Sequence, residues 1–416
     1  MDIVNIASSR SSLIRAVEKG SEDFSYNLPR GLPSFSKRRA VINVNSGSVS
    51  PGQLGTFDLP PHGLWAGCWL KIDATWTKDA ANTQFKIPLH VGLSLIDYVK
   101  LKAGGRELLC ETGHSIAYRY AQEDTDVQTA LEKAAGKDAG GPQTADAAFT
   151  TATQNPLLIY IPFSCFQHYS TYLDLRHTEP LQVEVAFRNK SVLSARVSND
   201  GVAPNLTFGT VQLHCMFVNP TDKAYSEMLS KNFASGSKPL SMLLRTVYQE
   251  KTDDNAAAIF THDLKAAAPV MSVRVHPMAQ KTEGAAQEVT PNWSDYKNKN
   301  SDTGLETFSI KAAGVPLLET DTITELLVEQ CLETKVDLFD DMKILVYSPE
   351  IIDPLSKGEA ITLRGANSFQ NMSSVALKIT HTAIGQQTLR LAVECDCAVI
   401  LQIDPRTGRV SSLYTS

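Results

Sequence analysis

Apolar and polar residues alternate with a period of two through much of the chain. Leu70, Ile72, Ala74 and Trp76 are separated by Lys71, Asp73 and Thr75, and Leu181, Val183, Val185 and Phe187 by Gln182, Glu184 and Ala186. Val211, Leu213, Cys215 and Phe217 enclose Gln212, His214 and Met216. The second half repeats the habit at Met271, Val273 and Val275, at Val375, Leu377 and Ile379, and at Leu389, Leu391, Val393 and Cys395. Successive side chains of a strand point to opposite faces. The pattern therefore predicts half-buried strands, with one face on a core and the other on solvent or a partner. Many such runs separated by Gly, Pro, Asn and Asp predict an all-β sandwich or barrel. Helical spacing is confined to Val127–Ala135, Ile323–Glu333 and residues 2–19, where Ile3, Ile6, Leu13, Ile14 and Val17 share a broad face.

The alternation is itself repeated. Val99 to Leu109 (VKLKAGGRELL) aligns without gaps on Phe308 to Leu318 (FSIKAAGVPLL), matching Lys102 with Lys311, Ala103 with Ala312 and Gly105 with Gly314. The Leu108-Leu109 pair meets Leu317-Leu318. Each block reads as a strand, a tight turn in which Gly supplies positive φ, and an apolar return. In the same order, 181–187 pairs with 373–379 and 211–217 with 397–403, and the offset falls from 209 to 192 to 186. A longer insertion in the first copy produces such a fall. Residues 121–155, rich in Ala, Gly, Thr, Asp and Gln, are read as that insertion. Residues 277–304 are read as a second long surface loop and 230–239 as a linker. The organisation expected is an N-terminal arm over 1–40, a first domain over 41–232 and a second of the same kind over 233–416.

Composition allows this and narrows the function. At 43% apolar and 20% charged residues, each half can bury a core. With 39 Lys and Arg against 45 Asp and Glu, the net charge of −6 gives no general electrostatic reason to coat nucleic acid. The seven cysteines are widely spaced, which argues against a disulfide framework and suits a reducing compartment. Cys395 and Cys397 share a strand face and are read as small core residues, because no second ligand pair accompanies them. The N-terminus shows no signal peptide, and no apolar run of about 18 residues marks a membrane span.

Catalytic signatures are missing. There is no G-x-S-x-G elbow, no P-loop and no dinucleotide fingerprint. The nine histidines (His62, His90, His114, His168, His177, His214, His262, His276 and His381) show no metal-binding spacing. No catalytic, cofactor-binding or metal residue is assigned, and no cofactor is expected. The basic run Lys37-Arg38-Arg39 reads as a solvated turn before the first strand, with an acidic neighbour or anionic lipid as its other possible contact.

Four segments, Leu95 to Tyr120, Leu158 to Val185, Gly358 to Ile379 and Leu389 to Ile403, resemble the major capsid proteins of the double jelly-roll viral lineage. That lineage includes tectiviruses, corticoviruses, adenoviruses and the large nucleocytoplasmic DNA viruses. The second segment carries the family's I-P-F run at Ile161-Pro162-Phe163, and the third its Gly and Asn at Gly365 and Asn367. The family's frequent Asn-Phe-Ser stands here as Asn367-Ser368-Phe369. The resemblance implies two tandem eight-stranded jelly rolls and a structural, non-enzymatic role in the virion shell, assembled in host cytosol or nucleus. It also implies homotrimers that form pseudo-hexagonal capsomers, with penton and minor capsid proteins as partners. The N-terminal arm would reach neighbouring capsomers or an internal viral membrane. No sequence-specific nucleic-acid binding is implied. The competing readings are a receptor- or carbohydrate-binding β-sandwich, for which Trp293 and Tyr296 are the only aromatic hint, and a two-barrel enzyme of the bicupin type, which lacks its ligand cluster.

Overall fold

The computed structural model of the chain describes residues 35–77, 85–86, 91–136, 151–167, 172–189, 195–196, 205–220, 239–255, 259–281, 305–319, 344–348, 366–372, 374–381 and 387–413. The first half supplies eight long strands: β1 (Phe35–Asn43), β2 (Leu54–Asp58), β3 (Leu64–Thr77), β4 (Ile96–Ala103), β5 (Arg106–Thr112), β6 (Thr151–Tyr160), β7 (Leu181–Phe187) and β8 (Asn205–Pro220). They form two antiparallel sheets in the orders β1-β8-β3-β6 and β2-β7-β4-β5, with Leu173–Asp174 added beside β3.

The second half supplies β9 (Leu240–Asn255), β10 (Ile259–Asp263), β11 (Val270–Lys281), β12 (Leu305–Ala312), β13 (Val315–Glu319), β14 (Leu345–Tyr347), β15 (Val375–His381) and β16 (Gln387–Ile403). Their orders, β9-β16-β11-β14 and β10-β15-β12-β13, reproduce the first half strand for strand. Each half is a jelly roll, and the two in tandem make a double jelly roll. The alternating residues named from the sequence face the two cores. Leu70, Ile72, Trp76, Val183 and Val185 are buried in the first roll, and Val273, Val275, Leu377, Ile379 and Cys395 in the second.

The repeat extends to irregularities of the backbone. In the β4–β5 hairpin, Leu101 pairs with Leu109 and Lys102 with Glu107, leaving Leu108 as an extra residue. In the β12–β13 hairpin, Ile310 pairs with Leu318 and Lys311 with Pro316, leaving Leu317 in the equivalent place. Both turns use two left-handed residues, Gly104 (φ 54°) and Gly105 (φ 82°) in one, Ala313 (φ 49°) and Gly314 (φ 83°) in the other. These are the mirror-image turns whose twist matches that of the flanking strands.

The first roll starts earlier than expected. Residues 35–40, assigned to the arm, belong to β1, because pairing of Phe35–Asn43 with β8 fills that edge of the sheet. Lys37, Arg38 and Arg39 therefore lie on an exposed strand and not in a turn. Both long loops are shorter than read, since β6 begins at Thr151 and β11 runs to Lys281. Beyond β5 the chain forms α2 (Gly113–Ala121), which the sequence reading missed, and α3 (Thr125–Ala134), which it placed at Val127–Ala135. A short α1 (Val91–Leu95) precedes β4. None of these is long and apolar enough to cross a membrane. Residues 2–19, Ile323–Glu333 and most of 277–304 lie outside the described residues. So does all of 230–239 except Pro239, which leads into β9.

Candidate functional site

The outer face of the second roll's β9-β16-β11-β14 sheet is polar and yet buried. Ser272, Arg274 and His276 on β11 and Glu394 and Asp396 on β16 all point away from the second core, and all are enclosed. The first roll covers them: β5 packs on β9, and α2 reaches over β11 and β16.

Local sequence places α2 there. Thr112 caps the helix, accepting from the Ser115 N–H while the Ser115 hydroxyl accepts from its own N–H. This reciprocal box satisfies two donors that a helix start leaves free. Gly113 sits so close to the β4 end that an added Cβ would lie 2.5 Å from the Ile96 carbonyl oxygen and 2.6 Å from that of Leu93. With α2 held this way, His114, Tyr118 and Arg119 meet the second roll.

The contacts across the joint are short. The Thr112 hydroxyl donates to Glu394 Oε1 at 2.6 Å, and Arg119 Nη2 donates to Asp396 Oδ1 at 2.6 Å. Arg274 Nη2 lies 2.9 Å from the same Asp396 oxygen and 3.5 Å from Glu394 Oε2, and Ser272 Oγ donates to Asp396 Oδ2 at 3.1 Å. The Tyr118 ring lies under both cations, 4.8 Å from the Arg274 guanidinium and 5.5 Å from that of Arg119. The rings of His114 and His276 stack at 4.9 Å. At the margins the Cys110 N–H donates to Thr246 Oγ1, and Ser164 Oγ donates to the Arg245 carbonyl. A second tie runs through Glu179 of the first roll, which accepts from Arg106 and from the N–H of Val410. Val410–Ser412 is itself paired with β16.

The joint is electrically balanced. Glu111, Glu394 and Asp396 face Arg119, Arg245 and Arg274, three carboxylates to three guanidiniums. Burial pushes the Asp396 carboxyl up, but the charges of Arg119, Arg274 and Arg245 together outweigh it and hold the group well below the usual carboxylate range. Glu394 is likewise raised by burial but brought below its ordinary value by His276, Arg274 and the Thr112 hydroxyl. Burial lowers His276 below its ordinary value, outweighing the hydrogen bond and charge of Glu394, which act to raise it. Burial raises Glu111 despite Arg119 and Arg245, and lowers Arg245 to about 10. Taking ions from water into such a site costs several kcal/mol each, and only their mutual contacts offset that cost. Such an arrangement holds two bodies in one relative orientation.

Sequence reasoning missed this joint. The signal available was Glu394 and Asp396 inside a long apolar strand, together with the polar-aromatic run Gly113 to Tyr120. The nine histidines show no metal-binding spacing along the chain, but folding brings His114 and His276 face to face. Cys395 and Cys397 point into the second core, their thiols raised by burial. No group of three or more His, Cys, Asp or Glu among the described residues could hold a metal ion. Trp293 and Tyr296 lie outside the described residues.

No protein-family model matches the chain, and no curated protein matches it in sequence. Solved structures match in shape. The PBCV-1 virus capsid protein superposes with a TM-score of 0.66 at 13% identity, over 92% of this chain and 98% of that one. The Faustovirus major capsid protein gives 0.63 at 10% identity, over 97% and 94%. The mavirus major capsid protein gives 0.52 at 9%, over 97% and 96%. At this identity the likeness is one of fold, and over nearly its whole length the chain has the double jelly roll of these viral major capsid proteins.

Proposed function

We infer that the chain is a major capsid protein, a self-associating structural unit of an icosahedral virus shell with no enzymatic role. The observation that carries this reading is the joint. Two rolls of one topology stand side by side, fixed by a buried, charge-balanced contact. A chain built this way offers neighbours two near-equivalent barrels in a set orientation. Three chains then supply six barrels, enough to fill a hexagonal outline and tile a flat facet. The family resemblance in the sequence and the shared fold of the PBCV-1, Faustovirus and mavirus proteins support the same reading.

The partners of such a unit are further copies of itself, and penton and minor capsid proteins at the vertices and seams. The N-terminal arm expected from the sequence over 1–40, less the residues taken up in β1, is proposed to tie capsomers to one another or to an internal membrane. Native mass spectrometry of the purified chain tests the reading, with a trimer expected, and electron microscopy of assembled material should show hexagonal tiles. A chain that stays monomeric at all concentrations refutes it. Removing residues 1–25 should leave trimers that melt normally but do not form shells. A large fall in melting temperature with shells intact would place the segment in the fold instead.

A further inference from the structure

The cysteines do not stand alike once the chain is folded. Cys68 on β3 and Cys215 on β8 are far apart in the sequence but directly opposite in the antiparallel ladder. The register around them is regular, from Gly67 opposite Met216 to Ile72 opposite Val211. Directly opposed residues send their side chains to the same face of a sheet, here into the first core, where both thiols are buried.

The hydrogen bonds fix how close the two come. In an antiparallel ladder the N–H and C=O of one residue point to the same neighbouring strand, so bonded and non-bonded pairs alternate. The Ile161 N–H, just past the end of β6, donates to the Cys68 carbonyl at 3.1 Å. Ile161 stands opposite Cys68 by continuation of the Trp69–Tyr160 pairing. The backbone groups of Cys68 are therefore spent towards β6, and Cys68 with Cys215 is a non-bonded pair. In such pairs the Cα atoms are about 4.5 Å apart and the side chains at their closest. A disulfide spans about 4.4–6.8 Å between Cα atoms, so neither strand has to move to admit one.

Other described cysteines lack this placement. Cys395 and Cys397 succeed each other on one strand, roughly 6.8 Å apart at two residues' rise, at the limit of that span. Across the ladder they face Val273 and Val270 on β11 and Tyr248 and Thr246 on β9. The Cys397 thiol is turned to the Cys395 carbonyl, 3.9 Å away. Cys110 is opposite Lys100 in its hairpin. Cys165, in the single helical turn Ser164–Phe166, neighbours Cys68 but belongs to no strand.

We propose that Cys68 and Cys215 are a modification site, joined by a peroxide into a cross-strand disulfide that locks the first roll. One sulfur takes an oxygen from hydrogen peroxide, becoming a sulfenic acid and releasing water. The other sulfur attacks it: the S–O bond breaks, the S–S bond forms, and the hydroxyl leaves with the second thiol proton as a second water. Two electrons pass from the sulfurs to the peroxide. Burial, with the neighbouring Cys215 and Cys165 thiols, holds Cys68 well above the ordinary thiol range, and burial pushes Cys215 up to about 12. Both are protonated in the closed roll and react only as it opens. The same enclosure then shields the finished bond from reductants. The loop it closes holds β4 to β7 and α2, the helix that meets the second roll. Such a bond suits a shell protein folded in a reducing compartment and later displayed in an oxidising one. That use rests on the capsid reading; formation of the bond does not.

Peptide mapping by mass spectrometry tests this. The purified full chain is exposed to hydrogen peroxide slightly below its melting temperature, then denatured and alkylated. The Cys68 and Cys215 peptides should be recovered joined, and Cys395 and Cys397 as alkylated thiols. The melting temperature of the joined form should rise by roughly 5–15 °C, as for a bond closing a long loop. Cys215→Ala should remove the joined peptide and the rise, and Cys165→Ala should keep both. Cys68 joined to Cys165, Cys68 oxidised to a sulfinic acid with Cys215 untouched, or both thiols surviving the treatment would each overturn the pairing and leave the capsid reading standing. A joined form that melts no higher would overturn the lock. A chain that forms the bond but stays monomeric keeps the pairing and loses the capsid reading.

Discussion

Asp396→Asn isolates the electrostatic reasoning behind the joint. Asp396 receives Arg119 at 2.6 Å, Arg274 at 2.9 Å and Ser272 at 3.1 Å, with both cations enclosed. Asn preserves the shape and one acceptor but removes the charge. Three guanidiniums would then face two carboxylates in a buried site where solvent screens them little. Removing one partner of a buried ion pair typically costs about 3–5 kcal/mol, because the other is left uncompensated. At roughly 2–4 °C per kcal/mol for a domain the size of each roll, the melting temperature should fall by about 6–20 °C.

The assay is differential scanning calorimetry at pH 7, on the single variant, on Arg119→Met and on the double variant. Arg119→Met together with Asp396→Asn restores a balance of two against two. The double variant should therefore be more stable than the sum of the single losses, by at least about 1 kcal/mol, as expected for residues in contact. Arg119 and Asp396 belong to different rolls. The single variant should thus also separate one cooperative endotherm into two. A fall below about 1 kcal/mol for Asp396→Asn, or strict additivity in the double variant, would refute the idea that the joint is held by charge balance.

Two further outcomes follow from the same geometry. Folding lowers His276 and Asp396, so the unfolded chain binds more protons than the folded one as pH falls. Stability is then lost below about pH 6.5 for the histidine and below about 4 for the carboxylate. Glu111, raised by burial, works in the opposite sense and offsets part of this. Urea denaturation between pH 7 and 5 should show falling stability in the wild type and a flatter profile in His276→Gln, and parallel profiles would refute the assignment. In the β12–β13 turn, Ala313 occupies a left-handed conformation (φ 49°) where the first roll has Gly104. Ala313→Gly should raise stability by about 0.5–1 kcal/mol in thermal denaturation, and a loss would show that the turn is not strained.

Period two carried the fold. Strands β3, β7, β8, β15 and β16 were legible because a jelly roll buries one face of each, and a strand with one buried face must alternate. The VKLKAGGRELL and FSIKAAGVPLL match identified true equivalents, down to the extra Leu108 and Leu317 in their hairpins. The joint was not legible for the same reason the strands were. Alternation separates two faces but does not say what lies on the second one. Lys71, Gln212 and His214 on the first roll's outer face are partly open to solvent, and Arg274, Glu394 and Asp396 on the second roll's are sealed. Both sets read as polar positions between apolar ones. Nothing along a strand separates a charge hydrated by water from one neutralised by a guanidinium nearly 280 residues away, as Arg119 neutralises Asp396. The asymmetry between the faces arises only when the first copy is laid against the second.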